Sequence, residues 1–508
     1  MLSKFGVHHF IFALLPILLL FQENVHEIPI NDIFIPLIFS FIIVFILWII
    51  LARFVKERKS SMIISFSIIL FIIFAYVRSG LLVDGSIESQ FFAKNVILMP
   101  ILLSILIIGI VYIIRKTISS NITSIINTAS IAIICFMIIH VGVFYAENQN
   151  SLEETRELLN VPLFQITETK QPNVYFLVLD AYSGNDRLED GFGYDNSKFY
   201  KQLEEREFYV QKTSFSNYAN TEFSVPSMLN MQYFDFVSEL KGKKYKNVLL
   251  LQELSKDNLV SEVFRANGYD IYSLGENTYT RFHYSTNLCR NDFNLNQDLL
   301  NNFYYMFVPV SSIRNALLWN TDHYQFIMCA IDTMKNFENK SDKPFFMYTH
   351  VMLPHTPFIF DAQGSEIKRV DTYATDSNLI EYKDAYIEQV KFANKFTIDI
   401  VDSIQQKDPG AVIIVMSDHG DRLGINWIDP TIIDYYSGLN NLSAIYFPGE
   451  KSHFSTTITP VNLFRIFFNS YFETDYDILN DRLFWYENSQ PFVHYDITEK
   501  INLNSTQN

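Results

Sequence analysis

Two kinds of hydrophobic patterning divide this chain. Up to about residue 146, Ile, Leu, Phe and Val run together in five segments, roughly 5–21, 30–52, 61–77, 92–114 and 122–145. A hydrocarbon core of about 30 Å needs roughly 17–25 apolar residues in a helix, so the last four predict spans outright. The first, FGVHHFIFALLPILLLF, contains two His and a Pro and also reads as a signal peptide. No small-residue cleavage site follows it, so the expectation is a retained span and about five membrane helices over 1–146. From residue 173 the period changes. VYFLVLD (174–180), PFFMYTHV (344–351), AVIIVMSD (411–418) and LSAIYFPG (442–449) are short apolar runs of the kind that buried strands show. Between them, Tyr386, Val390, Ala393, Ile400 and Ile404 recur at helical spacing within 383–405. Alternation of this kind predicts an α/β domain with a largely parallel sheet over 173–508.

Charge adds direction. Arg53, Lys56, Arg58 and Lys59 follow the second apolar segment, and Arg115-Lys116 follow the fourth, whereas QENVHEIPIND has no Lys or Arg. Basic loops stay cytoplasmic, so five spans with an internal amino terminus put everything from about residue 147 outside. Residues 147–172 are acidic and amphipathic near Leu152 to Leu159, and read as a linker with a short helix, either lying at the membrane surface or simply solvated. The net charge of −16 excludes nucleic acid as a partner, since a phosphate backbone needs a concentrated basic surface. Cys135, Cys289 and Cys329 are too few for a zinc cluster, and whether Cys289 and Cys329 pair is left open by their spacing.

In parallel sheets, functional groups collect at the carboxyl ends of strands. Here the strands lead to Asp180, to His350 and His355, and to Ser417-Asp418-His419-Gly420. Any one of these can be a cap or a turn former. Asp418-His419 on a sharp turn is more telling, because two adjacent ligands can face one cation there. Upstream, NYANTEFSVPSM (217–228) sets a turn directly before a hydroxyl. Asn217 to Asn220 read as that turn, with Ser224, Val225 and Pro226 as a helix start.

LVLDAYS, NTEFSVPSM, KPFFMYTHVMLPHTPF and VIIVMSDHGDRLG, in that order, resemble the alkaline phosphatase superfamily. Within it they are similar to membrane-anchored sulfatase-like transferases, the phosphoethanolamine transferases and lipoteichoic acid synthases. The resemblance implies an enzyme of the bacterial inner (plasma) membrane. Thr221 would be the nucleophile and a metal ligand, with Asp180, Asp418 and His419 as further ligands to one divalent cation, zinc or manganese. His355 would lie near the transferred phosphoryl group, and His350, Arg422 and Asn220 are expected at the substrate. The implied donor is a membrane phospholipid, with a hydroxyl of a surface glycan, lipid or polymer as acceptor. Ser224 is the alternative nucleophile. The chain departs from the phosphoethanolamine transferases in having Ser227 where they commonly carry Cys, and in having no His in INWIDPTII. His453 is a candidate to occupy related space or a plain loop residue. A phosphodiesterase or phosphatase, a sulfatase without its Cys-x-Pro-x-Arg stretch, and a non-catalytic surface scaffold are the rival readings.

Overall fold

The structure is a computed structural model that describes residues 6–84, 95–159, 162, 171–275, 280–289, 321–370, 379–427, 429–448, 458–487 and 490–501. His453 lies outside them. The described residues fall into two units, one up to Asn150 and the other from Ser151.

In the first unit, four helices are long and apolar enough to cross a membrane: Phe34–Ala52, Glu57–Asp84, Asn95–Arg115 and Ser120–Asn148. The fifth expected span forms as His8–Glu23, only 16 residues long. At 1.5 Å per residue it is about 24 Å long, short of the core thickness. It is also the most enclosed of the five, with Ala13, Leu20 and Phe21 buried, whereas Ile107, Ile108 and Phe136 on the longer helices are exposed as lipid-facing residues would be. Asn127 fixes where it starts, its Oδ1 accepting from the Val7 and His8 N–H groups at 3.1 and 3.0 Å.

The helix expected in the linker forms at Ser151–Leu159 and belongs to the second unit. Its stripe at every fourth residue, Ser151, Thr155 and Leu159, is buried. Arg156 pairs with Asp257 at 2.6 Å, and Glu154 with Lys241.

The second unit is built on β1 (Val174–Leu179), β2 (Tyr209–Val210), β3 (Asp270–Gly275), β4 (Phe345–Val351), β7 (Val412–Met416) and β8 (Ser443–Tyr446), in the order β2-β8-β7-β1-β4-β3. Two hairpins, β5 (Phe358–Phe360) with β6 (Glu366–Val370) and β9 (Phe484–Glu487) with β10 (Gln490–Asp496), stand apart from this sheet. The pairs β3–β4, β4–β1 and β1–β7 are parallel, while β8 runs antiparallel to both neighbours. Both faces are covered, which explains the continuous apolar runs. Odd-numbered residues of β1 and β7, with Phe345 and Met347, pack under the helix Leu379–Lys407, whose Tyr386, Val390, Ala393, Ile400 and Ile404 are all buried as their spacing predicts. Even-numbered residues Val174, Phe176, Val178, Phe346, Tyr348, Ile414 and Met416 pack under the helices Thr221–Asn230, Leu259–Ala266 and Pro460–Phe472. Cys289 and Cys329 form a disulfide.

Candidate metal and nucleophile site

Strand parity assembles the site. Val178 pairs with His350 on one side and with Met416 on the other. Side chains alternate faces along a strand, so Asp180, His350 and Asp418 all fall on the even face, the one covered by the helix Thr221–Asn230. Their ligand atoms lie within 4.8 Å of one another, and all three residues are buried. His350 Nε2 is 3.2 Å from Asp180 Oδ2 and 4.0 Å from Asp418 Oδ2. The sequence reading set His350 at the substrate, but the register places it among the carboxylates.

His419 adds a second nitrogen from the turn. Its Nδ1 lies 2.8 Å from the Gly420 carbonyl, and donation there fixes the tautomer and leaves the Nε2 lone pair free. That Nε2 lies 3.6 Å from both Asp180 Oδ1 and Asp418 Oδ2. The turn needs glycine next: a Cβ on Gly420 would lie 2.3 Å from the Ser437 carbonyl of the helix Ile432–Leu439.

Thr221 opens its helix beneath this cluster. Asn220 caps it, with Oδ1 accepting from Phe223 N–H at 3.4 Å and Nδ2 donating to Glu222 at 2.8 Å and to the Tyr486 hydroxyl at 3.1 Å. The Thr221 hydroxyl donates to Asp418 Oδ2 at 2.7 Å and lies 3.2 Å from His419 Nε2. Ser224, the alternative nucleophile, is buried and donates to the Asp418 backbone carbonyl at 2.6 Å, so it shapes the turn. Since the helix starts at Thr221, Pro226 sits within it and not at its start. The turn itself is pinned by Asn217, whose Oδ1 accepts from Val461 N–H and whose Nδ2 donates to the Arg482 carbonyl, both at 2.9 Å.

His355 closes another side. Its N–H donates to the Asp180 carbonyl at 3.1 Å, its Nδ1 lies 2.6 Å from the Thr356 carbonyl, and its ring centre is 6.5 Å from that of His419. Arg422 is half-buried on the DHGD turn, its N–H donating to the Ser437 carbonyl at 3.0 Å.

Electrostatics favour a cation here. Burial alone would push the Asp180 carboxyl up, but the charge of His355 and the hydrogen bond from His350 hold it well below the usual carboxylate range. Burial, reinforced by the Arg422 charge, pushes the His419 imidazole down against the pull of Asp418 and Asp180. A neutral imidazole and ionised carboxylates are the forms that ligate metal. Asp180 Oδ1 is buried with no hydrogen-bond partner among the described residues, a costly state for a carboxylate oxygen unless a cation completes it. Two carboxylates, two imidazoles and a hydroxyl suit zinc and also suit manganese.

Sequence reasoning missed the support behind this site. Arg187 and Asp421 form a bidentate pair at 2.8 and 3.2 Å, and Tyr348 Oη lies 3.1 Å from His350 Nδ1. Arg187 lies in no motif, and nothing local distinguishes it from a surface Arg.

No curated protein matches the chain. Among solved structures, the C-terminal periplasmic domain of EcEptC from Escherichia coli, in complex with Zn, is 12% identical with a TM-score of 0.39, over 65% of this chain and 94% of that one. The integral membrane lipooligosaccharide phosphoethanolamine transferase A (EptA) from Neisseria meningitidis is 12% identical with a TM-score of 0.36, over 88% and 89%. BT1596, a 2-O GAG sulfatase, is 11% identical with a TM-score of 0.39, over 63% and 78%. The family model described as Sulfatase matches residues 172–467, a stretch that contains Asp180, Thr221, His350, His355, Asp418 and His419, and the chain belongs to that family.

Proposed function

We propose that the chain is a metal-dependent transferase anchored in the bacterial inner membrane with its catalytic unit outside the cytoplasm. It moves a phospholipid head group, phosphoethanolamine or phosphoglycerol, to a hydroxyl of a surface glycan, lipid or polymer. The observation that carries this reading is the Thr221 hydroxyl at a helix start, 2.7 Å from Asp418 Oδ2 and 3.2 Å from His419 Nε2. Four long apolar helices in the same chain favour a lipid donor.

A divalent cation held by Asp180, Asp418, His419 and His350 would lower the pKa of the threonine hydroxyl and draw charge from the phosphoryl oxygens. Thr221 gives up its proton along the hydrogen bond to Asp418 and attacks phosphorus. A Thr–O–P bond forms while the bond from phosphorus to the diacylglycerol oxygen breaks, and protonated His355 supplies the proton that this oxygen takes up. The positive end of the helix that Thr221 opens and the Arg422 guanidinium hold the phosphoryl oxygens. In the second step the acceptor hydroxyl passes its proton to His355 and displaces Thr221, which recovers its own.

Intact-mass analysis of the full chain in lipid nanodiscs, quenched during turnover, tests this. A head-group increment on the wild type, absent in Thr221→Ala and after chelation, is expected. No increment would overturn the two-step route, and release of the head group to water with no acceptor product would make the chain a hydrolase.

A further inference from the structure

Two non-glycine residues beside the candidate metal site hold left-handed backbone: Ala181 at φ +60°, directly after Asp180, and Arg422 at φ +59°, directly after Asp421. A Cβ is poorly accommodated in that region, and such residues persist only where their surroundings over-determine them. Here the surroundings are one buried polar knot. Asp421 accepts from Arg187 Nε and Nη2 at 2.8 and 3.2 Å, from Ser183 Oγ at 2.7 Å, from Ser437 Oγ at 3.0 Å and from Leu423 N–H at 2.7 Å. Its own N–H returns to Ser183 Oγ at 3.1 Å. The Arg187 and Asp421 side chains are 10% and 1% exposed. Tyr386 Oη donates to the Ala181 carbonyl at 2.8 Å and accepts from Ser183 N–H at 3.2 Å, holding the other turn from below.

The knot therefore ties the loop after β1, which carries Asp180, to the loop after β7, which carries Asp418, His419 and Arg422. The Arg187 and Asp421 side chains themselves bond Ser183, Ser437, Leu423 and each other, and none of the candidate ligands or the Thr221 hydroxyl. A buried ion pair is weak grounds for stability, because two apolar side chains of similar size often serve as well. It does fix geometry, since a bidentate guanidinium–carboxylate pair sets both distance and plane.

We propose that Arg187 and Asp421 are positioning residues that hold both strained turns and so set the spacing of Asp180 from Asp418 and His419 and the aim of Arg422. This rests on the metal-site reading given above. Metal affinity and turnover then depend on a pair that touches neither metal nor phosphate.

The test uses the full chain in nanodiscs with zinc and manganese as probes, read by chelator competition, thermal unfolding and steady-state kinetics. For R187M/D421L, unfolding close to the wild type is expected, with metal affinity reduced roughly ten- to hundredfold and kcat falling more than KM. R187K keeps the charge without the fork, and is expected to recover part of the metal affinity. A wild type that binds neither metal would overturn the site reading itself. A wild type that binds, beside a folded R187M/D421L with unchanged affinity and kcat, overturns the clamp alone. Should the double variant fail to fold, R187K decides: wild-type affinity and kcat in that variant overturn the proposal.

Discussion

At the scale of single residues, the candidate ligands differ in what their loss should do. His350 Nε2 lies 3.2 Å from Asp180 and its Nδ1 3.1 Å from Tyr348 Oη, so His350→Gln removes a nitrogen donor that is already oriented. Zinc affinity, read by chelator competition, is expected to fall at least roughly tenfold, while Tyr348→Phe costs less. An unchanged affinity in His350→Gln would return this residue to the substrate side, where the sequence reading put it. That reading singled out Asp180, Thr221, Asp418 and His419, which lie together in the structure, because each stands at the end of an apolar run or within a turn signal. It did not see His350 beside the carboxylates, because that placement depends on β4 lying beside β1 with Val178 opposite it, and strand order is set by tertiary packing. Arg187 was illegible for the same reason: its partner is 234 residues away.

At the scale of elements, the helix Ile432–Leu439 is the buttress of the DHGD turn. Its Gly438 carbonyl accepts from Gly420 N–H at 2.9 Å, and its Ser437 carbonyl from Arg422 N–H. The helix is started by a capping box in which Asp434 accepts from Thr431 N–H and Oγ1, both at 2.7 Å. Asp434→Ala should cost about 0.5–2 kcal/mol, the usual value of a lost cap, and should reduce metal affinity along with stability. Burial works to raise the Asp434 carboxyl, but the Thr431 and Asn426 hydrogen bonds outweigh it and leave the folded-state pKa lowered. The sign follows: its contribution is present above the unfolded-state value and lost as pH falls through the folded-state one. Thermal unfolding from pH 6 to pH 3 should therefore show a steeper acid-side loss in the wild type than in Asp434→Ala; parallel curves would refute this. The elements themselves were largely legible, since β1, β4, β7, β8 and the helix Leu379–Lys407 fall where their periods predict. The reversal of β8 was not, because a buried apolar run reads the same in either direction.

At the scale of the whole molecule, the short first helix decides which side the amino terminus is on. Four spans and five give opposite answers for a fixed external domain, and apolar patterning alone favoured five. The Cys289–Cys329 disulfide, across 40 residues, fits an oxidising space, in keeping with a domain outside the cytoplasm. Cys329→Ser should destabilise the catalytic unit by about 2–4 kcal/mol, seen as a lower unfolding temperature that reductant reproduces in the wild type; a reductant-insensitive wild type would argue against the bond. The pinning of Asn217 by Val461 and Arg482 reaches further than geometry. Asn217, in the turn before Thr221, leaves the ribosome 244 and 265 residues before the two groups that pin it. A chain stopped short of Val461, exported and probed by intact mass, should carry no head group on Thr221, and an adduct there would contradict this. On the proposed function, the order of synthesis thus acts as a safety catch: Thr221 is made early, and its turn is steadied only once Val461 and Arg482 have followed it.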